Sequence, residues 1–231
     1  ASIRGAQSWG MSGVPFYAHD IGGWYGELKD PELFVRWTQA GIMSSHTRFH
    51  GGGPREPWIF GPEVEEIISR WIQWRYQLIP YLRLCEREAQ LNGMPVIRSM
   101  ALAFPDDKAS WSFEEQYMLG PSLLVAPIIQ AGGHVDVYLP KGTWYNIWNG
   151  NRIDGGKVLT IDDLPLEEMP VFGREGYWLP LGPVVESTDN LMDDMVINEI
   201  WTFGEPLPTF SMHSEEIKVQ IDDGKVSLSA P

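Results

Sequence analysis

A chain of 231 residues with 43% apolar side chains is long enough for one large domain or two small ones, and too apolar to be disordered. Its 31 acidic residues against 17 basic ones give a formal charge of −14, which argues against nucleic acid and anionic membranes as partners. A single cysteine, Cys85, excludes an internal disulfide. No clustered His/Cys spacing suggests zinc, no apolar run reaches the length of a membrane span, and no cofactor or metal is expected.

The chain opens on "ASIRGAQSWG", which reads as the inside of a helix or loop rather than a beginning. "SGVPFYAHD" then reads as a strand ending at Asp20. Apolar residues at 33, 34, 37 and 40 predict a helix over 31–41, with Gly41 as its C-cap. "IMSSHTRFH" is a second strand-like run, ending at His50, and "GGGPREPWIFG" is a loop. From Pro62 the residues Val64, Ile67, Ile68, Trp71, Arg75, Leu78, Leu82 and Cys85 share one helical face, and Pro80 should kink that helix without ending it. Cys85 reads as a buried, inert thiol. Strand, helix, strand, helix is the βα unit of a parallel sheet.

The pattern changes near residue 93. "PVIRSMALAF", "SLLVAPII", "HVDVYLP", "GTWYNIWNG", "KVLTI" and "GYWLPLG" are short β-rich runs separated by Gly, Pro and Asp, the pattern of an antiparallel sandwich. A further group of strands starts near residue 190, and the chain closes on two strands around an Asp-Gly turn. Both ends are expected to have been cut from something larger.

Parallel strands buried on both faces deliver their chemistry at their C-terminal ends, as in a (β/α)₈ barrel. Asp20 and His50 occupy that position on consecutive strands, and Gly22 and Gly23 allow a sharp turn and the close approach of a ligand. Asp20 alone reads equally well as a turn residue or an N-cap. By the period of two, His19 faces away from Asp20 and reads as structural, while His46, Arg48 and His50 share a face. Arg48 is placed to hold Asp20 ionised by an ion pair. The pairs Asp106–Asp107, Asp162–Asp163 and Asp193–Asp194 read as solvated turns. The 11 tryptophans suit sugar rings, whose apolar face stacks on indole, or simply a core.

"GVPFYAHDIGGW", "ELFVRWTQAGIMSSHTRFHGGGPREPW" and "QYMLGPSLLVAPI" together resemble the C-terminal half of a glycoside hydrolase of family 31, the α-glucosidases, α-xylosidases and relatives. The form of "SSHTRFHG", "AFPDD" and "VYLPKGTWYNIW" is similar to the bacterial α-xylosidase branch. The resemblance implies an α/β plus all-β fold. Residues 1–93 would be the last βα units of the catalytic barrel, 94–186 a proximal β-sandwich, and 187–231 the beginning of a distal β domain. It implies a retaining exo-α-glycosidase that removes terminal α-linked xylose or glucose by a double displacement. The family's nucleophile (W-x-D type) and acid/base (W-x-G-D type) motifs are absent, so no catalytic residue is assigned in this chain, and the chain is expected to be inactive alone. Asp20 and His50 would line the subsite for the non-reducing sugar, with Arg48 in support and Phe16 and Trp24 flanking. The expected partners are an oligosaccharide or glycoside, the N-terminal remainder of the enzyme and further copies in a homo-oligomer; the expected location is the bacterial cytoplasm. The alternatives are a non-enzymatic carbohydrate-binding module, which the tryptophans and sandwich would suit, and a structural fragment.

Overall fold

The computed structural model describes residues 2–190, 196–205, 218–222 and 225–229, the last two stretches by their backbone. The expectation for Asp193–Asp194 lies outside the described residues. Helix α1 (Ser2–Met11) leads to strand β1 (Ala18–Ile21), helix α2 (Pro31–Ile42) and strand β2 (His46–Phe49). β1 and β2 pair in parallel, Asp20 opposite Arg48, a pairing that requires the crossover that α2 supplies. Asp30 caps α2 by accepting from the Leu33 amide at 3.2 Å, with Pro31 and Glu32 in the first turn.

Two expectations for α2 are corrected. Its buried face includes Phe34, Val35, Arg36, Thr38 and Gln39, while Leu33 is exposed. Gly41 is not the cap but lies inside the helix, which ends at Ile42. A Cβ there would lie 2.9 Å from Ile21 Cγ1 and 3.0 Å from Thr47 Oγ1, so Gly41 is what lets α2 close onto β1 and β2.

The expected long helix is two, α3 (Pro62–Gln77) and α4 (Ile79–Asn92), joined at Leu78. Pro80 has no amide to continue the ladder. Just before this break, the Gln77 carbonyl accepts a 2.8 Å hydrogen bond from the amide of Gly182. The face read from the sequence is inward: Val64, Ile67, Ile68, Trp71, Leu78, Leu82 and Cys85 are buried. α4 closes at Gly93, whose φ of +76° is the left-handed cap conformation.

The β-rich part begins with β3 (Ile97–Ser99). The second half of "PVIRSMALAF" is not strand but a short helix α5 (Met100–Ala103), capped by Ser99. Then come β4 (Tyr117–Leu119), β5 (Leu123–Val125), β6 (Val135–Leu139), β7 (Thr143–Asn146), β8 (Arg152–Asp154), β9 (Lys157–Ile161), β10 (Val171–Arg174), β11 (Trp178–Leu181), β12 (Glu199–Thr202), β13 (Lys218–Asp222) and β14 (Lys225–Ser229). A six-stranded antiparallel sheet runs β3-β4-β5-β10-β7-β8, with β6-β9, β11-β12 and β13-β14 as antiparallel pairs.

Alternation divides the large sheet between two cores. Tyr117, Leu119, Leu123, Val125 and Val171 join Phe34, Ile42, Ile68, Trp71 and Leu78 in one continuous apolar cluster. Met118, Leu124 and Phe172 point the other way, onto Val137 and Leu139 of β6 and onto Trp144. The α/β part and one face of the sandwich therefore share a core. A buried and a half-buried arginine join the segments across it. Arg36 donates to the carbonyls of Leu164 (3.1 Å) and Glu168 (2.6 Å), and Arg75 to those of Ile42 (2.7 Å) and Ser45 (2.6 Å). Burial lowers the Arg75 pKa to about 10, which leaves it charged at neutral pH.

Candidate functional site

The two faces of the β1–β2 ribbon differ sharply. His19, Ile21, Thr47 and Phe49 turn toward the helices, and His19 and Ile21 are buried. Ala18, Asp20, His46 and Arg48 turn the other way and are exposed or half-exposed. His50 follows β2 by one residue and is exposed. A parallel strand pair bare on one face is an open surface, and it is this surface that carries the polar groups.

Arg48 Nε donates to Asp20 Oδ1 at 2.5 Å. The hydrogen bond from Arg48 lowers the Asp20 pKa, helped by the charges of Arg48 and His50, so the carboxylate is held ionised. The same contact raises the Arg48 pKa. His19 is the opposite case. It packs edge-on against Tyr17 at 5.3 Å, its Nδ1 has no hydrogen-bond partner, and desolvation lowers its pKa to about 4. It is therefore neutral at pH 7.

A shallow pocket of about 300 Å³ contains Asp20, Gly23, Trp24, Trp37 and Arg48, and His19 also reaches its wall. The structure thus brings together Asp20, Arg48 and Trp24, with His50 close enough for its charge to act on Asp20. Phe16 is elsewhere. It precedes β1, packs edge-on against His46 at 5.6 Å, and lines a different recess with Arg75, Leu82 and Val96.

One residue escaped the sequence reading. Arg55, buried in the loop after β2, donates to the carbonyls of Gly23 (2.8 Å), Gly26 (2.8 Å) and Pro54 (2.8 Å). The Gly52 amide adds a bond to the Trp24 carbonyl at 2.7 Å. Arg55 thus fastens the loop that follows Asp20 to the loop that follows His50. The glycines are the counterpart of this clamp: Gly22 has a φ of +86°, and a Cβ on it would lie 2.5 Å from Arg55 Cδ. The only sequence signal was an arginine set among glycines and prolines.

A fixed carboxylate, a guanidinium and an imidazole beside an exposed indole supply acceptors, donors and an apolar face on one surface. That combination suits a neutral polyhydroxylated ligand. Among the described residues no group of three or more His, Cys, Asp or Glu could hold a metal ion, and no helix is long and apolar enough to cross a membrane.

Comparison with known proteins agrees in kind. Residues 1–83 match the glycosyl hydrolases family 31 TIM-barrel domain, and residues 93–179 the glycosyl hydrolase family 31 C-terminal domain. The probable glucan 1,3-alpha-glucosidase of Arabidopsis thaliana is 37% identical over 94% of this chain and 23% of its own length. The alpha-xylosidase of Saccharolobus solfataricus is 33% identical over 84% of this chain and 27% of its own. The solved structure of a Flavobacterium johnsoniae GH31 dextranase complexed with glucose superimposes with a TM-score of 0.72 at 38% identity, covering 78% of this chain and 23% of that one. The GH31 alpha-xylosidase from Xanthomonas citri gives 0.74 at 31%, covering 83% and 23%. The chain spans about a quarter of the length of the curated relatives it matches. With both domain matches in order along one chain, the protein belongs to glycosyl hydrolase family 31.

Proposed function

We propose that this chain supplies the wall of the terminal-sugar subsite in a retaining exo-α-glycosidase acting on α-linked xylose or glucose. In this reading residues 1–93 are the closing βα units of the catalytic barrel, 94–186 the proximal sandwich and 187–231 the start of a distal β domain. The observation that carries it is the Asp20–Arg48 pair, ionised and in register on the bare face of β1–β2, with His50 just past the strand end. Asp20 accepts from sugar hydroxyls, and the His50 imidazole and the Arg48 guanidinium are donors to sugar oxygens. Relatives named as α-glucosidases and α-xylosidases, and solved relatives holding glucose, xylose or isomaltotriose, support the substrate class.

The chain carries neither a W-x-D nor a W-x-G-D motif, so the nucleophile and the acid/base are assigned to residues beyond these 231. The test is hydrolysis of aryl α-xyloside and aryl α-glucoside by a longer polypeptide carrying both motifs, beside the 231-residue chain. The long form should turn over one of the two substrates and the short form neither. Asp20→Ala and His50→Ala in the long form should each lower kcat/KM on the order of 10²-fold, because contacts that tighten in the transition state are lost. Turnover by the short chain, or full activity of both variants, overturns the assignment.

A further inference from the structure

A second recess lies between α3 and the sandwich and shares no residue with the Asp20 pocket. It has a volume of about 430 Å³ and is lined by Arg70, Trp71 and Trp74 of α3, by Trp148 after β7, and by Glu167 and Glu168. That volume is within the range of roughly 300–1,000 Å³ usual for small-molecule pockets. The indoles are fixed from behind: Trp71 Nε1 donates to the Glu167 carbonyl at 3.0 Å, and Trp148 Nε1 to the Met169 carbonyl at 2.7 Å. Trp148 packs against Trp71 at 5.4 Å and Trp74 at 5.7 Å. Trp71 and Trp74 are only 5% and 9% exposed, whereas Trp148 is 38% exposed. One indole thus remains open, held by its neighbours. Glu167 and Glu168 are exposed, and neither side chain makes a hydrogen bond or ion pair among the described residues.

The chemistry narrows the ligand. Two carboxylates disfavour an anion. A quaternary ammonium needs several ring faces around it, and two of the three indoles here are turned into the protein. A rigid open indole beside exposed carboxylates and the Arg70 guanidinium, which pairs loosely with Glu66 at 3.7 Å, fits a pyranose, whose C–H face stacks while its rim hydroxyls find acceptors and a donor. We propose that this recess is a second saccharide-binding site, remote from Asp20 and His50, with Trp148 as its stacking platform and Glu167, Glu168 and Arg70 as hydroxyl partners. Such a site would hold a distant part of an oligosaccharide or tether the protein to a polymer.

The experiment follows indole N–H resonances of the ¹⁵N-labelled 231-residue chain during titration with methyl α-xyloside, methyl α-glucoside and isomaltotriose. Tetramethylammonium is the cation control. Saturable shifts at Trp71 and Trp148 are expected with at least one sugar. They should persist in Asp20→Ala and weaken at least about tenfold in Trp148→Ala, the equivalent of one lost stacking contact. Glu168→Gln, a surface change that leaves the aromatic cluster intact, should weaken them too, which guards against misfolding of Trp148→Ala. No saturable shift with any sugar, a response to tetramethylammonium alone, or shifts lost in Asp20→Ala and kept in Trp148→Ala would overturn the proposal. Because the Asp20→Ala arm is read separately, failure here leaves the catalytic reading standing, and the reverse also holds.

Discussion

Arg48 and Asp20 face each other across a parallel pair of strands, guanidinium Nε to carboxylate Oδ1 at 2.5 Å, in a shallow pocket that Ser2 of α1 and Trp37 of α2 also line. An ion pair this exposed contributes little to folding. Its consequence is orientation: Asp20 stays ionised, and one oxygen is engaged while the other is left to accept.

Arg48→Ala should therefore separate function from stability. Thermal unfolding of the chain should shift by no more than a few degrees. In a catalytically complete form kcat/KM should drop about tenfold or more, with Arg48→Lys recovering only part because it cannot reproduce the fork. A large stability loss without a kinetic effect would assign Arg48 to the scaffold.

His19 predicts a pH dependence. Its folded pKa of about 4 lies below the ordinary 6.5. Between those values the unfolded chain binds a proton that the folded chain does not, so stability rises with pH across that window and is lost as pH falls from 6.5 toward 4. The full span corresponds to about 3 kcal/mol. Urea midpoints from pH 4 to 7 should show this slope, and His19→Gln should flatten it. Asp20, with its pKa lowered from 3.8, acts in the same direction only at still lower pH.

Gly41→Ala tests which effect wins inside α2. Helix propensity alone favours alanine by about 1 kcal/mol. The new Cβ would sit 2.9 Å from Ile21 Cγ1 and 3.0 Å from Thr47 Oγ1, and overpacking costs about 1–3 kcal/mol. A net loss of about 1 kcal/mol is expected by chemical denaturation, and a net gain would show that α2 can lift from the strands.

Removing Arg55 should loosen both loops at once. Arg55→Ala leaves the carbonyls of half-buried Gly23 and exposed Gly26 without their donor, so water can replace it and the stability cost should be modest, about 0.5–1.5 kcal/mol for each lost bond. Hydrogen exchange should quicken at the Gly52 amide, which bonds to Trp24, while the amides of α3 stay protected. Unchanged protection at Gly52 would mean that the loops hold without the clamp.

Much of the candidate site was legible because strand alternation is a local property. A period of two put His19 on one side and Asp20 on the other, and placed Arg48 with His50 before any coordinates. The registry between strands, Asp20 opposite Arg48, agreed with that face because a one-residue slip would have buried a charge. Phe16 shows the limit: closeness in sequence to Asp20 did not place it in the same pocket, since it precedes the strand and lies at its other end.

The sequence by itself determined most of the helices and strands, the change of style near residue 93, and the polar face of β1 and β2. These follow from spacing along one segment. It misplaced the end of α2, the break at Leu78 and the helix α5, because capping and close packing depend on what lies opposite: strands β1 and β2 against Gly41, the Gly182 amide against Gln77. The clamps made by Arg36, Arg55 and Arg75 were decided only by the tertiary structure. A long guanidinium side chain reads as surface charge until the chain brings backbone carbonyls around it, and those carbonyls come from residues 29–132 positions away.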